Sequence, residues 1–81
     1  MTKCEHRVDD KTIPEARRVF ARNFQRARLA AGLTQNDIHQ SFGFAQSFIS
    51  DVERCRSTIN LDNMAVLSQA VGIPLWQLLK P

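Results

Sequence analysis

An all-α fold of five helices joined by short loops is what this 81-residue sequence predicts. Three observations point to it. Apolar residues recur at steps of three and four rather than alternating, so the buried stripe is helical. Each of the three glycines, Gly32, Gly43 and Gly72, closes such a stretch, as a helix terminator does. No segment combines alternating polarity with turn-forming flanks, so no strand is expected. The length suits one domain and excludes a two-domain enzyme with a cleft between its lobes. The expected division is a flexible polar tail over residues 1–11 and a folded domain over 12–81.

The first helix is predicted to start at Thr12-Ile13-Pro14-Glu15, read as a capping box, with proline tolerated in the first turn. Phe20, Phe24, Ala27 and Ala31 then share one face, Arg18, Arg22 and Arg26 occupy another, and Gly32 ends the element. Thr34 is the next N-cap, Asp37 favours the positive helix end, and Ile38 and Phe42 are expected to face inward. Gly43 permits a sharp reversal into a short helix over about 46–54, with Phe48, Ile49 and Val52 as its apolar positions and Phe44 just ahead of it. Asn60 caps a fourth helix in which Leu61, Met64, Leu67, Ser68 and Val71 repeat with helical period. Pro74 opens a last short helix with Leu75, Leu78 and Leu79 on its apolar face and Trp76 beside it.

Composition narrows the function classes. A hydrophobic share of 43% with 23% charged residues describes a folding chain, neither disordered nor membrane-embedded. No apolar run approaches the roughly 18 residues of a bilayer crossing. The charged N-terminus from Met1 to Lys11 lacks the apolar stretch of a signal peptide, so a cytoplasmic protein with no membrane partner is expected. Cys4 and Cys55 provide no disulfide framework, and with His6 and His39 they lack the short paired spacings of zinc ligands. Neither metal nor cofactor is therefore expected. An enzyme is disfavoured as well: Ser47, Ser50 and His39 have no carboxylate to orient a base and no oxyanion donor, and no glycine-rich phosphate loop is present.

Charge is uneven along the chain. Residues 14–31 hold Arg17, Arg18, Arg22, Arg26 and Arg28 against Glu15 alone, whereas residues 32–54 are net acidic. A polyanion partner is plausible for such a pattern, although a basic helix face can also be merely solvated. More specific is the order of Thr34, Ile38, Phe42, Gly43, Ile49 and Val52, which forms a helix-turn-helix pattern. The apolar residues pack two short helices together, the glycine takes the turn, and the second helix presents Gln46, Ser47, Ser50 and Asp51 outward.

Gly32-Leu33-Thr34-Gln35, Ile38, Gly43-Phe44, Ile49-Ser50, Glu53-Arg54, Leu67, Ala70-Val71-Gly72-Ile73-Pro74 and Leu78-Leu79 together resemble the lambda-repressor and Cro type (XRE-like) of helix-turn-helix DNA-binding domain. The resemblance runs from about Phe20 to Leu79. It implies a compact five-helix domain whose second and third helices form the motif. It also implies a sequence-specific transcription regulator, a homodimeric repressor on a double-stranded DNA operator with inverted repeats. By that resemblance Gln35 meets a phosphate at a helix N-terminus, Gln46, Ser47, Ser50 and Asp51 face base edges, and Arg54 and Arg56 neutralise phosphates. Phe48 either touches a thymine methyl or the sugar backbone, or folds back onto the core. Arg28 and Glu53 match positions that form a structural ion pair. Leu75, Trp76 and Leu79 are the candidate dimer surface, with the N-terminal extension as the other candidate.

Four residues depart from the family pattern. His39 replaces a small residue in the first motif helix and is read as a hydrogen-bonded side chain or, alternatively, a pH sensor. Ala45 replaces a polar N-cap, at about 1 kcal/mol. Cys55 replaces a common glycine, so the turn there is expected to differ. Asp51 places a negative charge on the proposed DNA face, which lowers general affinity and narrows sequence choice. The competing class is an interaction module, such as an antitoxin bound to a protein partner, with DNA binding secondary.

Overall fold

The computed structural model describes residues 13–81. Five α-helices follow in order: α1 Glu15–Ala30, α2 Gln35–Phe42, α3 Gln46–Glu53, α4 Leu61–Val71 and α5 Leu75–Leu78. No strand occurs among the described residues. α1 is the spine, packing against α3, α4 and α5, while α2 packs on α3 and α4 on α5.

α1 starts differently from the sequence expectation. Thr12 lies outside the described residues, and the N-cap is Pro14, which makes no side-chain capping bond. Proline enters with φ −59°, already helical in that angle, and its carbonyl accepts from the amides of Arg17 and Arg18 at 3.0 and 3.3 Å. Beyond that start, α1 buries Val19, Phe20, Ala21 and Phe24, with the two phenyl rings stacked at 5.9 Å between centroids. Ala31, expected on the same face, is exposed instead, because it stands at the C-cap where the helix has already ended. The buried stripe, which adds Val19 and Ala21, is wider than the face of Phe20, Phe24, Ala27 and Ala31 expected from the sequence, since three helices contact α1.

The core joins Phe20 and Phe24 of α1 to Ile38 of α2, Ile49 and Val52 of α3, Leu67 and Val71 of α4 and Leu78 of α5. Two residues expected inside are not there. Phe42 is 42% exposed and Leu61 is 66% exposed. Phe42 is the last residue of α2 and Leu61 the first of α4, so each sits where its helix runs past its neighbours; period alone does not show how far the core extends.

The caps are specific. Asp37 N donates to Thr34 Oγ1 at 3.0 Å and Thr34 N to Asp37 Oδ2 at 2.8 Å, a reciprocal box that satisfies two otherwise orphaned amides. Asn60 Oδ1 accepts from Asn63 N at 2.7 Å and starts α4. Asn23 of α1 donates through Nδ2 to the carbonyls of Leu78 and Lys80, both at 2.9 Å, satisfying the frayed end of α5 and holding it on the spine.

α3 ends in a turn normally given to glycine. Cys55 has φ 62° and is the one described non-glycine residue with positive φ. Its amide donates to Val52 O at 3.0 Å and that of Arg56 to Asp51 O at 2.8 Å, the paired bonds of a left-handed helix stop. The turn expected to differ therefore keeps the glycine geometry with a cysteine in it, at a steric cost of about 1 kcal/mol or more. Cys55→Gly should raise unfolding stability by up to about 1 kcal/mol, the strain relief being partly offset by added freedom in the unfolded chain. Urea unfolding of the two proteins measures it; a destabilised variant would show that the thiol contributes packing that outweighs the strain.

Candidate nucleic-acid interface

α3 is anchored from one side. Ile49 and Val52 are buried, and the Phe48 ring is half-buried, stacked on Phe44 at 5.7 Å and packed against the core. Those positions turn the opposite side of the helix outward: Gln46 and Ser47 are exposed, Ser50 and Asp51 half-buried. Steps of one, three and four place these four polar side chains on a continuous face. Arg54 is exposed at the C-cap and Arg56 exposed just beyond the Cys55 turn. Phe48 is separated from this polar set by its packing on the core. At the other end, Ala45 makes no capping bond, so the first amides of α3 have no side-chain acceptor and add to the positive helix end.

What holds α3 at its angle is a buried carboxylate. Glu53 Oε2 accepts from Arg28 Nε at 2.6 Å and Glu53 Oε1 from Arg28 Nη2 at 3.0 Å, a bidentate pair. The two side chains are 2% and 9% exposed. Arg28 Nη1 donates onward to Leu33 O at 2.8 Å. Gln35 Nε2 and Gln25 Nε2 also donate to Glu53 Oε1, at 3.1 and 3.3 Å. One carboxylate thus ties α1 and the start of α2 to the end of α3, and Arg28 carries the connection to the α1–α2 loop. Its four donors offset desolvation that an unpaired charge could not survive.

The structure therefore brings Arg28 and Glu53 together and adds two glutamines. Gln25 was not singled out in the sequence, although it lies three residues before Arg28 on the same helical face. Gln35 has one amide hydrogen engaged by Glu53 and a second left over at the N-terminus of α2. His39 is likewise placed. Its Nδ1 stands 2.6 Å from Phe44 O, so the ring spans the turn between α2 and α3, with the carbonyl calling for the proton on Nδ1. The larger side chain finds its room at the turn.

At α5, which packs on α1 and α4, Leu78 is buried and Leu75 and Leu79 are half-buried against the core, while Trp76 is 66% exposed. Trp76 is the largest of the exposed apolar side chains among the described residues, alongside Leu61 and Leu29. Among the described residues no group of three or more His, Cys, Asp or Glu side chains is disposed to hold a metal ion. Nor is any helix there long and apolar enough to cross a membrane. Cys4 and His6 lie outside the described residues.

No protein-family model matches the chain. A relative described as an uncharacterized HTH-type transcriptional regulator, y4dJ of Sinorhizobium fredii, is 33% identical over 67 residues, spanning 83% of this chain and 87% of its own. The chain belongs to the HTH-type transcriptional regulators. A second relative, a hypothetical transcription factor of Neisseria meningitidis, is also 33% identical over 67 residues, and the match spans 63% of its length. Among solved structures, that of the hypothetical transcription factor NHTF from Neisseria superposes with a TM-score of 0.76 at 31% identity, over 91% of this chain and 82% of that one. The restriction-modification controller protein C.AhdI from Aeromonas hydrophila gives 0.72 at 26% identity, over 80% of this chain and 98% of that one. The five-helix fold of this regulator is thus that of HTH transcription factors, a DNA-binding family, with the α2–turn–α3 unit as its motif.

Proposed function

We propose that this regulator is of the Cro/repressor (XRE-like) type and acts in the cytoplasm as a homodimeric repressor, reading an inverted-repeat operator with α3 in the major groove. The supporting observation is the outer face of α3, where Gln46 and Ser47 are exposed and Ser50 and Asp51 half-exposed on a helix fixed from behind by Ile49, Val52 and Glu53. Gln46 can donate to N7 and accept from N6 of adenine through one planar amide; serine pairs with several bases; Asp51 accepts from cytosine N4 and repels phosphate, which trades affinity for selectivity. The remaining N–H of Gln35, with Arg54 and Arg56, engages phosphates and sets the register. Similarity to a restriction-modification controller protein, over 98% of that chain, supports a regulatory role of this kind.

One module of this size covers only a few base pairs, so a two-fold dimer spanning half-sites about 34 Å apart supplies the specificity. Trp76, flanked by Leu75 and Leu79, is the surface we assign to that dimer. Trp76→Glu should raise the dimer dissociation constant by about tenfold or more, since burying a carboxylate replaces burying an indole. Sedimentation equilibrium reads the shift, and an unchanged constant would move the interface elsewhere. The DNA reading itself is tested by selecting bound duplexes from a random pool and titrating the winner with salt. An enriched inverted repeat and a steep loss of affinity with salt are expected. No enrichment, with weak binding even at low salt, would contradict DNA reading and favour an antitoxin-like role on a protein partner.

A further inference from the structure

Near the N-terminus of α1, a pocket of about 270 Å³ opens between α1, the α3–α4 loop and α4. Phe20, Ile59, Met64 and Pro14 give it an apolar lining, and Arg17 and Thr58 are its polar members. Arg17 is the only charged side chain among the described residues that line it.

Arg17 is incompletely satisfied. Its Nη2 donates to Cys55 O at 3.0 Å, but its Nε is buried with no hydrogen-bond partner. A screened donor without an acceptor is a standing destabilisation that an arriving acceptor would relieve. The residue already lines the pocket and as a whole is only half-buried, so its guanidinium borders the space an acceptor would enter. The chemistry asks for one anionic acceptor on an apolar body: one guanidinium allows one negative charge, and the rest of the wall rewards hydrocarbon. Neither the α3 face nor the Trp76 surface involves these residues.

We infer that this pocket binds a small monocarboxylate with an apolar chain, its carboxylate on Arg17 and its chain against Phe20, Ile59 and Met64. Such a ligand sits beside the Cys55 turn that ends α3, because the same guanidinium holds that turn's carbonyl. The site is independent of the DNA reading proposed above.

The test uses octanoate, with 1-octanol as its uncharged counterpart, titrated into the full chain and followed by amide and methyl chemical shifts. Saturable shifts at Ala16, Phe20, Ile59 and Met64 are expected, with octanoate favoured over octanol by about tenfold or more, as a charge-assisted bond implies. Arg17→Met keeps the apolar stem and should erase that preference while leaving octanol binding in place, a readout that misfolding would not produce. Absence of saturable shifts at these residues, equal affinity for octanol and octanoate, or an Arg17→Met variant that still prefers the carboxylate would each overturn the assignment.

Discussion

Glu53→Ala is expected to lose about 3–5 kcal/mol of folding stability, the loss measured when one partner of a buried ion pair is removed. The reason is what stays behind. Arg28, with a side chain 9% exposed, would keep its charge, and its Nε and Nη2 would lose both acceptors at once. Gln25 and Gln35 would lose their shared acceptor as well. For a domain whose whole stability is about 5–15 kcal/mol, such a variant stands at or beyond the edge of folding. The double variant Arg28→Met, Glu53→Leu should recover most of the loss, since it removes the charges together and fills similar volume. Denaturant unfolding of the three proteins decides the matter. A single-variant loss under about 1 kcal/mol would mean the pair behaves like a surface salt bridge despite its burial.

Phe24→Ala is expected to be comparably severe, at about 3–5 kcal/mol. Phe24 is 0% exposed, stacks on Phe20, and belongs to the cluster to which all five helices contribute. Its removal leaves a cavity that a five-helix shell cannot easily collapse, because α1 is the element the others pack against. Phe42→Ala provides the comparison: the same chemical change at a ring 42% exposed should cost far less. Equal losses at the two positions would show that the spine is not where the stability is concentrated.

Most of the fold was legible because several local signals agreed. At α2, the Thr34 cap, Asp37 three residues later, inward Ile38 and the glycine stop at Gly43 all pointed to one short helix. Where one signal stood alone it misled. Helical period placed Phe42 and Leu61 inside, but period marks a face and not the point at which neighbouring helices stop covering it. A cysteine at position 55, where the resembled family commonly has glycine, suggested an altered turn, yet two backbone bonds keep the left-handed geometry.

The candidate reading face was legible in another way. Gln46, Ser47, Ser50 and Asp51 were selected by the helix-turn-helix resemblance, and α3 turns them away from the core. The hydrogen-bonded junction behind them was only half visible. A buried arginine and glutamate could be paired by the family pattern, whereas the contributions of Gln25 and Gln35 depend on the angle at which α1, α2 and α3 meet, which no local pattern encodes. Likewise Arg17 looks like one more residue of a basic helix until the α3–α4 loop folds over it.

The most direct measurement is a comparison of the base preferences of the wild type and Gln46→Ala in the same duplex selection. If α3 reads the major groove, Gln46→Ala loses discrimination at one position of each half-site by about 1–3 kcal/mol and retains the salt dependence set by Arg54 and Arg56. An unchanged preference at every position, from a variant that folds and binds as the wild type does, would contradict the assignment of α3 as the reading helix.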